Sequence, residues 1–257
     1  MTGIRDGQQS TSGGVQSIRR AFELLETLAE GGPMSLSQLS AESGLPLTTV
    51  HRLTGTLVGL GYLRQPSAKR YALGPRLIHL GERSGRRLTT WAVPHLTRLV
   101  DELGETANLA MLEGDEIVYV AQAPSQHSMR MFTEVGRHVL PHCTAVGKAL
   151  LAQLPPERVE GIVRRTGMPA QTEDTITTPA RLAKELDVVR HQGFAIDDGE
   201  QEVGVRCVAV ALADGSPRLA LSVSGPAPRM TEDLVRRAVP VLNRAAGALA
   251  DDLATDR

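Results

Sequence analysis

The stretch from Ser35 to Leu73 leaves this chain few folds to choose from. Ser35 can cap the first free amides of a helix, and Gln38 three residues on completes a capping box. Gly44 ends that helix, because a left-handed terminal residue is least strained as glycine. Leu45-Pro46 restarts the chain in a new direction, with Pro46 suited to a first helical position. Val50, Leu53, Leu57 and Leu60 then recur at spacings of three and four, which gives a second helix one apolar face. Its opposite face carries Thr48, Thr49, Arg52 and Thr56. Hydroxyls and a guanidinium in that array can reach phosphate oxygens and base edges in a major groove.

A polar helix face is ordinarily just solvated, so its neighbours decide the reading. Upstream, Ile18, Ala21, Phe22, Leu25 and Leu28 form an amphipathic stripe, a third helix to pack against the pair. Downstream, Gly61-Tyr62-Leu63-Arg64 and Arg70-Tyr71-Ala72-Leu73 are short β-prone runs around a turn. Arg64, Lys69 and Arg70 crowd that turn, where a wing would meet a sugar-phosphate backbone. Ser35 at the helix start and His51 are further candidate contacts, His51 being equally readable as a surface residue. Three helices and a basic hairpin predict an N-terminal all-α winged helix-turn-helix over residues 15–74, behind a polar, Gly-rich tail (1–14) expected to be disordered.

Charge supports this once the chain is divided. The whole protein carries a formal charge of −1, yet Val15 to Arg87 holds ten Lys and Arg against five Glu, and the remainder from Leu88 holds seventeen against twenty-three acids. A basic front on an acidic back suits a protein that touches phosphate with one part only. Two cysteines, Cys143 and Cys207, are too few for a disulfide scaffold or a multi-Cys zinc site. The first fourteen residues are not an apolar leader, and no run approaches the length of a membrane span, so a cytoplasmic protein is expected.

Behind the wing, Gly74-Pro75 breaks the hairpin. A basic helical stretch toward Trp91 reads as a linker helix (75–93) that can supply dimer contacts. Pro94 is expected to start a new helix through Leu103 and a C-terminal domain (94–257). Thr106–Leu112 and Glu116–Ala121 read as strands joined by Glu113-Gly114-Asp115, with a further short strand expected over Ser128–Phe132. Helical patterns follow around Val146–Leu154 and Pro156–Arg165. Another runs from a Thr178-Pro179 start to Gly193. Strands return at Phe194–Ile196, Val205–Ala211 and Arg218–Ser224, the last two joined by Asp214-Gly215-Ser216, and Thr231 caps a final helix. Antiparallel hairpins between helices predict an α+β domain.

Strand alternation singles out one cluster there. Ser222 and Ser224 share one face of their strand, Cys207 lies on the partner strand, and Asp197 follows the Phe194–Ile196 run. Two hydroxyls, a thiol and a carboxylate on a small apolar sheet can bind a small polar molecule. They can equally be a buried thiol and solvated serines. His138, His142 and Cys143 lie close in sequence but match no zinc spacing. No strained Gly-x-Ser-x-Gly elbow occurs, and Gly147-Lys148 lacks the glycines of a phosphate loop. No catalytic residue, metal or cofactor is expected.

Val15-Gln16-Ser17-Ile18 with Ala21-Phe22, Leu45 through Leu53, and Gly61-Tyr62-Leu63 resemble the DNA-binding half of IclR-type transcriptional regulators. Tyr71-Ala72-Leu73-Gly74 and Leu80-Gly81 continue the likeness. Ala145 to Leu151, Gly204-Val205-Arg206-Cys207 and Leu221 to Pro226 resemble the family's effector half. The resemblance implies a GAF-like effector domain with an antiparallel sheet, and a homodimer or dimer of dimers on double-stranded operator DNA. It implies a pocket for a small oxo-acid built from Asp197, Cys207, Ser222 and Ser224. Ala145, Val146 and Gly147 would line that pocket and offer backbone amides. Gly104 to Asn108 and Ser128 to Phe132 are most similar to regulators of allantoin and glyoxylate metabolism, so the expected effector is glyoxylate, allantoate or a similar acid. An acid-processing enzyme in the back half and a purely oligomerising back half are the rival readings.

Overall fold

The computed structural model describes residues 15–67, 69–131, 134–213 and 218–255. The tail expected over 1–14 and the turn expected at Asp214-Gly215-Ser216 lie outside the described residues. The chain divides into two compact units, the first ending at Ser84 and the second beginning at Gly85.

The first unit contains α1 (Gln16–Gly31), α2 (Leu36–Ser43), α3 (Leu47–Gly59) and a hairpin of β1 (Leu63–Ser67) with β2 (Arg70–Leu73). The capping box forms as expected: Gln38 N donates to Ser35 Oγ at 3.3 Å and Ser35 N donates to Gln38 Oε1 at 3.0 Å. Gly44 ends α2 in the left-handed conformation. Pro46 stands one position earlier than expected, as the residue before α3, and its fixed φ leads the chain into Leu47. A backbone bridge from Met34 to Tyr71 adds a third edge to the hairpin. Gly74 lets the strand exit pass the preceding turn, since a Cβ there would lie 2.3 Å from Gly61 O.

The core of this unit is Leu24, Leu28, Leu39, Val50, Leu57 and Leu63. It corrects two expected stripes. Ile18 (56%) and Phe22 (59%) are exposed on α1, whereas Leu24, absent from the expected stripe, is fully buried. Leu60, expected on the buried face of the second helix, is 56% exposed. Ile18, Phe22 and Leu60 line an apolar groove of about 500 Å³ within the unit. Periodicity locates an apolar stripe on a helix, not the part of it that a neighbour covers.

The second unit is built on an antiparallel six-stranded sheet in the order β5-β4-β3-β8-β7-β6. Its strands are β3 (Thr106–Glu113), β4 (Glu116–Ala123), β5 (His138–Val139), β6 (Ala195–Asp198), β7 (Val205–Ala211) and β8 (Leu219–Pro226). Its helices include α4 (Arg76–Leu103), which crosses the division, then α5 (Ala145–Leu151), α6 (Pro156–Thr166), α7 (Pro179–Gln192) and α8 (Glu232–Thr255). The separate helices expected before and after Pro94 are therefore one helix, with Pro94 inside it. A proline removes one amide and crowds one carbonyl, which this long helix tolerates where Ala92, Leu96, Leu99 and Val100 pack around it. Ser128–Met131 forms no strand, and Phe132 lies outside the described residues. The outer strand is instead His138–Val139, too short to show alternation.

One sheet face packs Leu109, Val208, Val210, Leu221 and Val223 against Leu96, Leu99 and Val100 of α4 and Leu242 and Leu249 of α8, with Trp91 partly buried beside them. The other face presents Ala110, Ala209 and Ala220 to α5 and α7. Small side chains on that face let α5 approach the strands closely, and this positions the site. No helix among the described residues is long and apolar enough to cross a membrane.

Candidate functional site

Two groups of polar residues survive from sequence to structure. The first lies on α3 and the hairpin. Thr48, His51, Arg52 and Thr56 are exposed, Thr49 is half-buried, and Thr56 Oγ1 donates to Arg52 O at 3.1 Å. Thr54, one turn back from Val58, points inward and donates to Val50 O at 2.9 Å. Burying the Val50–Thr54–Leu57 side leaves the Thr48–Arg52 side to face outward. Ser35 Oγ accepts from Gln38 N at the cap, which leaves its own O–H as a donor. At the hairpin, Arg64 Nε donates to Leu73 O and Arg70 Nη1 to Pro33 O, each at 3.2 Å, so both guanidiniums are braced with further N–H groups outward. Lys69 is exposed at the turn with a left-handed φ of 72°, a strained value for a residue with a Cβ.

The second group surrounds a cavity of about 40 Å³ between the sheet and the start of α5. Register explains the assembly. Cys207 pairs with both Asp197 and Ser224, and Ser222 lies opposite Ala209, so all the polar side chains share one face. Ala145, Val146, Asp197, Cys207, Ser222 and Ser224 line the cavity. Gly147 does not. Its amide donates to Thr144 Oγ1 at 3.1 Å as part of the helix cap, so it is not free for a carboxylate. A Cβ on Gly147 would lie 2.2 Å from Pro141 O, so this glycine serves close backbone approach.

Neighbouring strands contribute residues that the sequence did not single out. A bulge in the β3–β4 register between Leu109 and Ala110 brings Tyr119 opposite Ala110, on the cavity face. Gln122 Nε2 donates to Asn108 Oδ1 at 3.0 Å, and Asn108 Nδ2 donates to Ser224 Oγ at 3.4 Å, a polar chain leading to the cavity serines. Met131 closes one side. Thr106 Oγ1 donates to Met131 O, and Arg229, paired with buried Glu105, donates to Met129 O, which together hold that segment in place. Isolated Asn and Gln residues within apolar strands were the available signal, unreadable without the register.

Asp197 is 2% exposed. Its Oδ1 accepts from Glu200 N at 2.8 Å and Gln201 N at 3.3 Å. Burial outweighs those amide bonds and pushes its carboxyl up to about 7. Burial likewise raises the Cys207 thiol and the Tyr119 phenol well above their ordinary values, so both are neutral at physiological pH. Below the cavity, fully buried Lys148 pairs with Glu185 at 3.0 Å and with Glu200. Thr175 Oγ1 donates to Glu200 O at 2.6 Å and Thr172 Oγ1 to Gly199 O at 2.6 Å, fixing the loop that carries Asp197's amide partners.

The His138–His142–Cys143 group is dispersed. His138 pairs with Glu116 on the surface, His142 Nε2 meets Pro169 O, and Cys143 Sγ donates to Gln201 Oε1 at 3.0 Å. Burial raises the Cys143 thiol to about 12, which suits a structural thiol. Among the described residues no group of three or more His, Cys, Asp and Glu is placed to hold a metal.

Residues 17–67 match the profile of the IclR helix-turn-helix domain, and residues 83–251 match that described as bacterial transcriptional regulator IclR, C-terminal. The transcriptional repressor IclR of Escherichia coli K12 is 36% identical over 232 residues, covering 87% of this chain and 85% of its own length. The transcriptional repressor AllR of Salmonella typhimurium is 35% identical over 226 residues, covering 86% and 83%. An IclR homologue from Microbacterium hydrocarbonoxydans, solved with 4-hydroxybenzoate, superposes with a TM-score of 0.80 at 26% identity, covering 93% of this chain and 99% of that one.

Proposed function

The chain belongs to the IclR family of bacterial transcriptional regulators, and from that premise we propose that it is a repressor whose hold on operator DNA is released by a small organic acid. Membership makes it a DNA-binding, ligand-responsive regulator rather than an enzyme. Thr48, Thr49, Arg52 and Thr56 address a major groove, with His51 beside them as a phosphate contact. Ser35, Arg64, Lys69 and Arg70 hold the sugar-phosphate backbone. Two copies in the cytoplasm, or a dimer of dimers, meet a palindromic operator, with residues 75–93 as the connector and the back domain as the effector-binding and oligomerising part.

The observation that carries the effector reading is the size and lining of the cavity. A water needs about 10–15 Å³ of such space, so about 40 Å³ admits a ligand of a few heavy atoms. Hydroxyls, a thiol and a carboxylic acid line it, with Ala145 and Val146 at the helix start. This favours a two- or three-carbon oxo-acid such as glyoxylate, and with it control of allantoin or glyoxylate metabolism. Allantoate needs a wider opening. The 4-hydroxybenzoate held by the Microbacterium homologue supports a second reading, an aromatic-acid effector, which requires Met131 and Tyr119 to part.

Release requires different effector affinity in the DNA-bound and free states. The test is binding to the gene's own upstream DNA at fixed salt, with glyoxylate, allantoate and 4-hydroxybenzoate added separately. Release by glyoxylate alone supports the reading, release by the aromatic acid alone transfers it to the second, and indifference to every acid removes both.

A further inference from the structure

Among the described residues, no cationic side chain lines the effector cavity. None of its lining side chains is Lys, Arg or His, while Asp197 and Glu202 are both carboxylates. The groups facing Asp197 from each surrounding element are neutral or acidic, with one exception. Cys207 on β7, Tyr119 on β4 and Cys143 before α5 are neutral because burial holds their protons on. Glu200 and Glu202 sit on the loop after β6. The exception is Lys148 of α5, and its charge is committed to Glu185 of α7 and to Glu200. One ammonium thus stands among four carboxyl groups; the remaining cations act one group further out, Arg181 of α7 on Glu200 and Arg137 on Tyr119.

A carboxylate effector in this space lies beside Asp197, and none of the described lining residues offers it a positive side chain. Two like charges about 4 Å apart at an intermediate dielectric oppose each other by roughly a thousandfold in affinity. Asp197 has one way to remove the conflict. Its Oδ1 is already engaged by the Glu200 and Gln201 amides, so a proton on Oδ2 leaves those bonds intact and turns the side chain into a donor. On the reading that the effector is a small acid, we infer that the cavity takes it as carboxylate plus one proton from solvent, the proton residing on Asp197. Asp197 is then the specificity-determining residue: its ionised form rejects an anion and its acid form donates a hydrogen bond to one.

The sign follows from the free-state carboxyl, which burial holds at about 7. Bound anion raises it further, so affinity is greatest below that value and falls as pH rises through it. The experiment is calorimetric titration of the full-length protein with glyoxylate. Titrations run at pH 6.5, 7.5 and 8.5, and at pH 8 in two buffers of different ionisation heat. Wild type should weaken roughly twentyfold from pH 6.5 to 8.5 and take up close to one proton at pH 8. Asp197→Asn keeps an oxygen for the two loop amides and an N–H for the ligand, and should lose the pH dependence. Binding by wild type without pH dependence or proton uptake overturns this inference and leaves the acid-effector reading standing. So does a slope retained in Asp197→Asn and lost in Glu202→Gln. No binding of glyoxylate, allantoate or 4-hydroxybenzoate at any pH removes the acid-effector reading, and the inference with it.

Discussion

Asp197 and Gly147 show how differently single residues around one cavity act. The raised Asp197 carboxyl is unfavourable to the folded state once ionised. Its stabilising contribution is full below the ordinary carboxylate range and disappears as pH rises through about 7. Asp197→Asn should therefore be more stable than wild type at pH 8, by about 4 kcal/mol, the gap narrowing to about 1.5 kcal/mol at pH 5, read from urea midpoints at each pH. Gly147→Ala forces a methyl into the Pro141 carbonyl and should destabilise by about 1–3 kcal/mol, measured the same way. Cys207→Ala with Ser222→Ala should abolish release of DNA by glyoxylate without weakening DNA binding in its absence. An unaltered effector response would remove both from the site. The grouping of Asp197, Cys207, Ser222 and Ser224 around one cavity was legible in the sequence because it rests on residue type and strand alternation. Lys148 was not, because a lysine in a helix reads as a surface residue until its two carboxylate partners, 37 and 52 positions away, are known.

Elements were legible wherever a stop signal is local. Gly44 and Gly193 end their helices in the left-handed conformation, and Thr231 Oγ1 accepts from Leu234 N at the start of α8. They were not legible where the outcome depends on a distant partner. Pro94 looks like a helix start, yet α4 continues through it because the face from Ala92 to Leu103, buried in the second unit's core, outweighs one missing amide. The same limit hid the β3–β4 bulge that turns Tyr119 inward. For α3 and the hairpin, the double variant Arg52→Ala with Lys69→Ala should lose at least tenfold in operator affinity, measured by fluorescence anisotropy at fixed salt. Unchanged affinity would sink the contact assignment. Both side chains are exposed, so the melting temperature should move little.

At the scale of the whole molecule the charge division is the leading feature. The residues through Arg87 are basic and the remainder acidic, so the near-zero total conceals two opposite surfaces. DNA affinity should fall steeply with salt, and Lys69→Ala alone should reduce the slope of log K against log salt by about one. A slope unchanged by that substitution would take Lys69 off the phosphate backbone. Trp91 adds an optical consequence. It is the single tryptophan of the chain, set on the helix that crosses the Ser84–Gly85 division and partly buried against the second unit's core. Tryptophan emission therefore comes from one point on α4. The protein carries its own reporter there: a change in that helix's surroundings on effector binding alters quantum yield or wavelength, with no label attached.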